Sequence, residues 1–360
     1  MQIERYLPKT YNSLPEEGSV TWESPSNIAL VKYWGKYGEQ LPKNTSLSFT
    51  LSHCKTTTTI HYTKKEEGDF SFKVLLDGVE KTDFRPKIET FFERIVVYLP
   101  FLRFYDFVIE TFNSFPHSSG IASSASGMSA LALCLLSIER ELYHDMTDSY
   151  FNEKASFLSR LGSGSAARSI EGPIMVWGKH SAIADSSNLY ATAYKEKVHP
   201  VFENYQDTVL LVDIGQKKVS STVGHNLMHN HPYAENRFAQ AQENIVKLQD
   251  VLANGDLDQF ISLVESEALT LHAMMLTSMP YYILMSPNTL KVIEAIWAYR
   301  EETGSKLCFT LDAGANVHLL YPESEKQAVL ELIKNKLFVY CQKGQYICDS
   351  VGLGAKRLAP

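Results

Sequence analysis

The sequence predicts an α+β fold, in which strands lead into a loop of small residues that opens a helix. Residues 47–62 alternate apolar and polar side chains well enough for strands, and residues 104–112 form a further strand before the loop. Residues 115–136 begin with proline, serine and glycine and then place apolar side chains at helical spacing. The chain of 360 residues is also long enough for about two domains.

The other elements follow the same two periodicities along the chain. Residues 1–20 are polar with scattered aromatic side chains and predict an extended arm, and the two domains are predicted to cover residues 1–205 and 206–360. The predicted strands cover residues 28–31, 47–62, 70–76, 104–112, 174–177, 209–214, 306–310 and 317–321. Besides the helix that the loop opens, the predicted helices cover residues 85–99, 147–161, 232–253, 256–275, 286–303 and 324–335.

Composition argues against several classes of protein. The chain is 44% hydrophobic with a net charge of -7, so we expect no nucleic-acid partner, because nucleic-acid binders usually carry a basic face. The first residues lack the apolar core of a signal peptide, and no apolar run could span a membrane, so we expect a cytoplasmic protein without a membrane partner. The odd number of cysteines and the lack of a C-x-x-C pair predict reduced, mostly buried thiols.

The loop of small residues is a candidate anion site. Backbone N–H groups at a helix N-terminus favour a phosphate, and small side chains let it approach closely. Ser123 and Ser124 add hydroxyls that could donate to phosphate or bind its magnesium ion. The loop is neither a Walker loop nor a dinucleotide-binding G-x-G-x-x-G motif. The alternative is a serine-capped core helix.

Cations and aromatic side chains directly follow the first predicted strand. Lys32, Tyr33, Trp34 and Lys36 come after the apolar residues 28–31 and would lie at a strand end, where ligands often bind. The alternative is a surface loop with extended lysines and a tryptophan anchored in the core.

A second loop of small residues, 162–169, carries a guanidinium. Ser163, Ser165 and Arg168 would suit a diphosphate, because the planar arginine fork can grip two oxygens. The alternative is a turn between helices with an arginine at the surface.

One carboxylate stands between two apolar strands near the end of the chain. Asp312 is followed by alanine and glycine, which leave room for a ligand beside it. A partly buried carboxylate usually has a partner or a function. The alternative is a tight turn in which the aspartate bonds to its own backbone.

Three histidines lie close together at His225, His229 and His231. The i, i+4 pair could bind zinc on a helix, but no H-E-x-x-H motif accompanies it and Pro232 interrupts the run. A metal site is therefore not favoured here.

Five short motifs together resemble one family. The run P-x-x-x-G-x-x-S-S-A at residues 116–125 resembles the phosphate loop of the GHMP kinase superfamily. The runs N-I-A-L-V-K-Y-W-G-K at 27–36, G-S-G-S-A-x-R-S at 162–169, K-K-V-S-S at 217–221 and D-A-G-x-N at 312–316 resemble motifs of the diphosphomevalonate decarboxylases.

The resemblance implies the architecture and the chemistry. It implies an N-terminal domain related to ribosomal protein S5 domain 2, a ferredoxin-like C-terminal domain, a site in the cleft between them, and a homodimer. It also implies that ATP, with Mg²⁺, phosphorylates the 3-hydroxyl of mevalonate diphosphate, after which phosphate and carbon dioxide leave to give isopentenyl diphosphate.

The resemblance further implies roles for individual residues. Asp312 and Lys32 match catalytic positions. The substrate positions are Asn27, Tyr33, Lys36, Ser163, Ser165, Arg168 and Ser221. The ATP positions are Ser118, Ser119, Gly120, Ala122, Ser123, Ser124 and Lys217, with Ser123 also a magnesium ligand.

The chain departs from the family pattern at two places. Thr222 stands where relatives often have arginine, and residues 117–119 are His-Ser-Ser where relatives tend to have Thr-Ala-Ala. Two alternatives therefore stay open: a related enzyme that acts on mevalonate or its monophosphate as a kinase or decarboxylase, and a catalytically silent binding protein. The second is disfavoured because a silent relative has no chemical reason to keep the carboxylate.

Overall fold

The computed structural model describes residues 3–11, 13–116, 121–215 and 221–359. Within them the fold is α+β, with two large sheets and a short two-stranded ribbon. The strands are β1 (Glu17–Val31), β2 (Lys36–Tyr37), β3 (Leu41–Pro42), β4 (Ser46–Lys64), β5 (Ser71–Leu76), β6 (Val79–Glu80), β7 (Tyr105–Asn113), β8 (Ile174–Trp177), β9 (Ala191–Ala193), β10 (Gln206–Leu210), β11 (Cys308–Leu311), β12 (Val317–Tyr321), β13 (Tyr346–Ser350) and β14 (Lys356–Leu358). The α-helices are α1 (Arg85–Ile95), α2 (Ser123–Leu142), α3 (Asp148–Gly162), α4 (Ser221–Asn226), α5 (Ala234–Asn254), α6 (Leu257–Leu276), α7 (Pro287–Thr303) and α8 (Lys326–Leu332).

The first sheet has the strand order β14-β1-β4-β7-β5-β6, and β8 and β9 extend from β4. Its longest pairing joins β1 to β4 in antiparallel register from Glu17 opposite Thr63 to Val31 opposite Leu47. Helices α1, α2 and α3 cover one face, where apolar side chains from strands and helices form a single core. That core includes Ile60, Phe92, Phe107, Leu135 and Phe157.

The second sheet has the order β11-β12-β10-β13, and its strands β10, β11 and β12 are buried along their whole length, whereas β13 at the edge is partly exposed. Alternate residues of its strands enter different cores, as the twofold period of a strand requires. Val209 packs with helices α5 and α6 and with the end of the first sheet, whereas Leu210 packs with helices α7 and α8. The two halves of the chain therefore share one core through α5 and α6.

Backbone contacts also join the halves. The buried carboxylate of Asp349 in β13 accepts hydrogen bonds from the backbone N–H groups of Ser52, His53 and Cys54 in β4, at 2.9, 2.8 and 2.7 Å. Strand β14 then returns to the first sheet and pairs with β1. The boundary at residue 206 stays a prediction, since the last strand belongs to the first sheet.

Helix boundaries follow local capping. The Thr147 side chain accepts a hydrogen bond from the backbone N–H of Tyr150 and begins α3, as the sequence predicts. Ser286 forms a capping box at the start of α7, and Asp256 caps α6. The helices predicted at residues 147–161, 232–253, 256–275 and 286–303 are each present within a few residues.

Three predicted segments differ from the structure. The described part of the predicted arm is packed: Tyr6 is fully buried against Phe157, with ring centroids 4.3 Å apart, and β1 begins at Glu17. The helix that begins at Arg85 ends at Ile95, before the predicted end at residue 99. The strand predicted at residues 209–214 lies at residues 206–210, because pairing with β12 and β13 selects that register. Short strands such as β9, β13 and β14 have no clear pattern of their own.

The cysteine prediction is confirmed, because all five thiols are free and four of them are buried. Among the residues that the structure describes, no helix combines the length and apolar character needed to cross a membrane.

A buried ion pair ties together the two helices that border the candidate loops. Lys154 of α3 donates to both carboxylate oxygens of Glu139 in α2, at 2.8 and 2.7 Å, and both side chains are almost fully buried. We predict that Lys154→Met lowers the free energy of unfolding by about 3–5 kcal/mol, because it leaves Glu139 buried without a counter-ion. Urea unfolding would measure the change.

The exposed pair Lys195–Asp185 supplies the control. Lys195→Met should cost less than about 1 kcal/mol, since both partners are mostly in water. The double variant Glu139→Leu/Lys154→Met should recover most of the loss. Equal costs for the two single variants would contradict the prediction.

Candidate active site

A cavity of about 550 Å³ lies where the two halves of the chain meet, a volume ordinary for a small-molecule site. Residues from the end of β1, the start of α2, the loop after α3, helices α4 and α6, and the turn after β11 form its walls. The lining residues are Asn27, Ile28, Ala29, Lys32, Tyr33, Trp34, Lys36, Gln40, Asp83, Lys87, Ala122, Ser123, Ser124, Gly162, Ser163, Gly164, Ser165, Arg168, Thr222, His225, Leu271 and Asp312.

Lys32 follows the last residue of β1 and is 2% exposed. Its backbone is fixed by two hydrogen bonds: its N–H donates to Glu267 at 2.8 Å, and its carbonyl accepts from Asn44 at 2.9 Å. Its Nζ has no hydrogen-bond partner among the described residues. Burial lowers the pKa of Lys32 to about 8, and the carboxylates of Asp312 and Glu267 oppose that shift. Lys32 is therefore a cation at neutral pH with unused donors at the cavity wall.

Arg168 lies in the short 3₁₀ turn Gly164–Ser169 that follows α3 and is buried. Its Nε donates to Asn27 at 3.3 Å and its Nη1 donates to Ser46. Burial lowers the pKa of Arg168 to about 10, so the guanidinium stays charged at neutral pH. Asn27 in turn donates to the carbonyl of Ser165 and the hydroxyl of Ser169, which fixes this loop against β1.

The aromatic residues after β1 form the side wall of the cavity. The rings of Tyr33 and Trp34 lie 4.2 and 4.6 Å from the imidazole of His225 on α4. Gly35 has a φ of +96°, and a side chain there would meet the ring of Phe238 at 2.6 Å, so glycine is needed. The bend turns Lys36 back to the cavity, where its Nζ donates to Gln40 at 2.9 Å.

Asp312 directly follows β11 and is partly buried. Its carbonyl accepts hydrogen bonds from Gly314 N–H at 2.7 Å and from His272 Nε2 at 3.1 Å, so the turn is held through its backbone. The carboxylate raises the pKa of both Lys32 and Arg168 against the effect of their burial. The predicted acid and the two predicted cations therefore line the same cavity.

Helix α2 begins at the cavity wall. Ala122 has a left-handed backbone, with φ of 44°, and turns the chain into the helix, so Ser123 and Ser124 occupy its first two positions. Lys87 of α1 donates from Nζ to the Ser124 hydroxyl at 3.0 Å. A helix N-terminus, two hydroxyls and a lysine together make this end of the cavity a candidate anion site.

A second cavity of about 240 Å³ adjoins this end and shares Lys87, Ser123 and Ser124 with the first. Its other walls come from β4, β5, β7, α1 and α2 and include apolar side chains such as Ile109 and Leu131. An anion site beside an apolar pocket fits a molecule that carries phosphates on a flat, weakly polar group.

Most predicted site residues that the structure describes line the main cavity. They are Asn27, Lys32, Tyr33, Lys36, Ala122, Ser123, Ser124, Ser163, Ser165, Arg168 and Asp312. Four predicted positions, Ser118, Ser119, Gly120 and Lys217, lie outside the described residues. Ser221 begins helix α4.

Several lining residues were missed by the sequence analysis. Gln40, Asp83, Lys87 and Leu271 stand outside every motif and reach the cavity through tertiary packing. His225 was noticed only for its spacing from His229. Helix α4 ends at Asn226, before His229, and no cluster of potential metal ligands was found among the described histidines, cysteines and carboxylates.

The described walls carry more positive than negative charge. Lys32, Lys36, Lys87 and Arg168 oppose two carboxylates, those of Asp83 and Asp312, in a chain whose net charge is -7. Such a cavity attracts polyanions, and the single carboxylate between buried cations could accept or orient a proton on a bound hydroxyl.

Comparison with known proteins agrees with this chemistry. A model of the diphosphomevalonate decarboxylase-like N-terminal domain matches residues 24–188, and a model of the mevalonate 5-diphosphate decarboxylase C-terminal domain matches residues 208–352. The chain is 28% identical to the diphosphomevalonate decarboxylase of Ganoderma lucidum, over 87% of this chain and 80% of that protein. It is likewise 28% identical to the diphosphomevalonate decarboxylase of Rattus norvegicus, over 84% of this chain and 76% of that protein.

Solved structures agree as well. Mevalonate diphosphate decarboxylase from Staphylococcus aureus has a TM-score of 0.81 and 25% identity, covering 95% of this chain and 98% of its own. A structure named MDDEF in complex with MVAPP, AMPPCP and magnesium has a TM-score of 0.82 and 25% identity, covering 96% of this chain and 100% of its own. These similarities confirm the expected GHMP kinase fold. The two domain models together match most of the chain, which belongs to the diphosphomevalonate decarboxylase family.

Proposed function

We propose that this protein catalyses the ATP-dependent decarboxylation of mevalonate 5-diphosphate to isopentenyl diphosphate, with release of ADP, phosphate and carbon dioxide. The observation that carries the proposal is the convergence of Lys32, Arg168 and Asp312, from three distant segments, on one cavity. The relatives of Ganoderma lucidum and Rattus norvegicus bear the name of this activity. The reaction places the protein in the mevalonate pathway of isoprenoid biosynthesis.

The diphosphate of the substrate is assigned to the wall formed by the loop after α3 and the residues after β1. Arg168 and Lys36 supply charge there, and Tyr33, Ser163, Ser165 and Asn27 supply hydrogen-bonding groups. Arg168 already holds its fork against Asn27 and Ser46, so little further ordering is needed when an anion binds. Ser221 is assigned to the same wall by its motif.

ATP is assigned to the start of α2 and the adjoining pocket. Its phosphates would lie at Ser123 and Ser124 beside Lys87, and its base would enter the apolar pocket that shares these residues. Ser118, Ser119, Gly120, Ala122 and Lys217 complete this assignment from the sequence motifs. The resemblance to the complex with AMPPCP supports the nucleotide.

Magnesium fits the same end of the cavity. The described residues hold no cluster of three potential ligands, whereas Mg²⁺ commonly takes one or two protein oxygens together with substrate phosphates and water. The hydroxyl of Ser123 is the assigned protein ligand. When bound, the ion would neutralise charge on the ATP phosphates.

The chain's own residues carry the first stage of the reaction. Asp312 accepts or orients the proton of the tertiary 3-hydroxyl, which attacks the terminal phosphorus of ATP, while Lys32 stabilises the charge on the transferred group. In the second stage the bond to the carboxylate breaks, its electron pair forms the double bond, and carbon dioxide leaves. The carbon–oxygen bond breaks at the same time, and its electron pair leaves with the phosphate. We also infer a cytoplasmic location from the reduced thiols, and a homodimer from the family resemblance.

Product analysis tests the function. The protein, incubated with ATP and magnesium, should release carbon dioxide from mevalonate diphosphate, and release little or none from mevalonate or its monophosphate. Carbon dioxide and ADP should appear in equal amounts. ATP consumption without carbon dioxide would identify a kinase instead, and activity on the monophosphate alone would change the assigned substrate.

Replacement of the carboxylate tests its role. We predict that Asp312→Asn lowers turnover by about 10²–10⁴, the usual contribution of a positioned acid–base group, with a smaller change in substrate affinity. Steady-state kinetics and calorimetric binding of the substrate would separate the two effects. The exposed Asp106→Asn, on strand β7, is the control and should match the parent protein.

Phosphorylation and carbon dioxide release should fall together in Asp312→Asn, because the first step precedes the second. If phosphorylation persisted while carbon dioxide release stopped, Asp312 would act in the second step and the assignment would be wrong.

The pH dependence of catalysis tests Lys32. Because burial lowers its pKa to about 8, the side chain is charged below that pH and neutral above it, so kcat/KM should fall about tenfold per unit above pH 8. In Lys32→Arg the guanidinium keeps its charge, so this decline should move to higher pH. The exposed Lys64→Arg should leave the profile unchanged. An unchanged decline in Lys32→Arg would mean that another group causes it.

A further inference from the structure

Helix α4 places two side chains on the cavity wall. Thr222 and His225 are three positions apart and therefore share one face of the helix, and both line the main cavity. Thr222 is neutral and exposed, whereas the imidazole of His225 is 7% exposed. His225 is the larger polar group that this helix brings to the cavity.

The hydrogen bond at one ring nitrogen fixes the tautomer. The backbone N–H of Gly35 donates to Nδ1 of His225 at 3.0 Å, and a nitrogen that accepts carries no proton. The proton of the neutral ring is therefore on Nε2. His225 lines the main cavity, and within the described residues its Nε2 has no hydrogen-bond partner, so the N–H is available to a molecule there.

Packing holds the ring in this orientation. His225 lies against the rings of Tyr33 and Trp34, with centroids 4.2 and 4.6 Å away. Gly224 brings the helix backbone close to Trp34, since a side chain there would meet the indole at 2.6 Å. The imidazole cannot rotate away without losing the aromatic contacts and the Gly35 hydrogen bond.

Burial keeps the imidazole neutral. Burial, together with smaller effects of the cations Lys36 and Arg168, lowers the pKa of His225 to about 3, and Asp312 opposes that shift. Lys36, Arg168 and Asp312, the charged groups that shift the pKa of His225, all line the same cavity. A neutral donor has an advantage at this place, because another cation would lower the pKa of Lys32 further, as Arg168 already does.

We propose that His225 is a substrate-binding residue, whose Nε2–H donates a hydrogen bond to the diphosphate between Tyr33, Lys36 and Arg168. The assignment of that wall to the diphosphate rests on the proposed function. His225 then performs two tasks, since Nδ1 orders the loop after β1 and Nε2 binds the anion. Relatives often have arginine at position 222. His225 supplies a donor one helical turn after that position.

Two substitutions separate the two tasks. In His225→Asn the amide oxygen can replace Nδ1 as the acceptor for Gly35, but no group reaches the position of Nε2. In His225→Gln the amide nitrogen can reach that position, but the acceptor for Gly35 is lost. His229→Asn is the matched control, because His229 is exposed, follows the end of α4 and does not line the cavity.

Calorimetry on the full chain measures its affinity for inorganic pyrophosphate, and this measurement tests the Nε2–H donor without any turnover. His225→Asn should weaken pyrophosphate about ten- to a hundredfold and raise KM for mevalonate diphosphate similarly, the range for a hydrogen bond to a charged group, while KM for ATP stays within about twofold. His225→Gln should keep pyrophosphate affinity within about threefold but lower Tm. His229→Asn should match the parent protein.

Three results would overturn the proposal. If His225→Asn bound pyrophosphate as tightly as the parent protein, the role of His225 would be limited to accepting the hydrogen bond from Gly35. If His225→Asn and His225→Gln bound pyrophosphate equally weakly, the loss would come from disorder of the loop after β1. Failure of the parent protein to bind pyrophosphate would overturn it as well. The proposed function fails separately, if the parent protein releases no carbon dioxide, because the pyrophosphate measurement does not depend on turnover.

Discussion

The carboxylate of Glu267 on α6 holds the site together. It accepts hydrogen bonds from the backbone N–H of Lys32, from both terminal nitrogens of Arg237 and from the amide of Asn244. A carboxylate removed from water is costly unless charge and donors surround it, as they do here. Because the end of β1 is fixed through its backbone, the Lys32 side chain stays available to the cavity. The buried cation Lys32 thus depends on helices from the other half of the chain.

Much of the site could be predicted because its charged and hydroxyl side chains occur in short local sequence motifs. Lys32, Arg168 and Asp312 each follow a strand or helix at a predictable end, and small residues beside them signal space for a ligand. The strands, the loop of small residues at 115–124 and the long helices could also be predicted, because each has a local sequence pattern. The alternating and helical periodicities were strong in β4 and α5 and faint in β13 and β14, whose partners lie far away in sequence.

What could not be predicted depends on contacts between distant segments. Lys87 lies on the surface of α1, and only the tertiary fold brings its Nζ to Ser124 at the start of α2. His225 shows the same limit in another way. Its spacing from His229 suggested one face of a helix, but α4 ends at Asn226, and the partners of His225 are Gly35, Tyr33 and Trp34. No local pattern reports a contact across 190 residues of chain.

The return of β14 to the first sheet has a consequence for synthesis on the ribosome. Thr21 pairs with Leu358, so the outer edge of β1 stays uncovered until nearly the whole chain has been translated. An open strand edge is a template for pairing with another chain. We therefore expect the nascent N-terminal sheet to be the segment most in need of protection by chaperones, and late translation to be the moment at which that hazard ends.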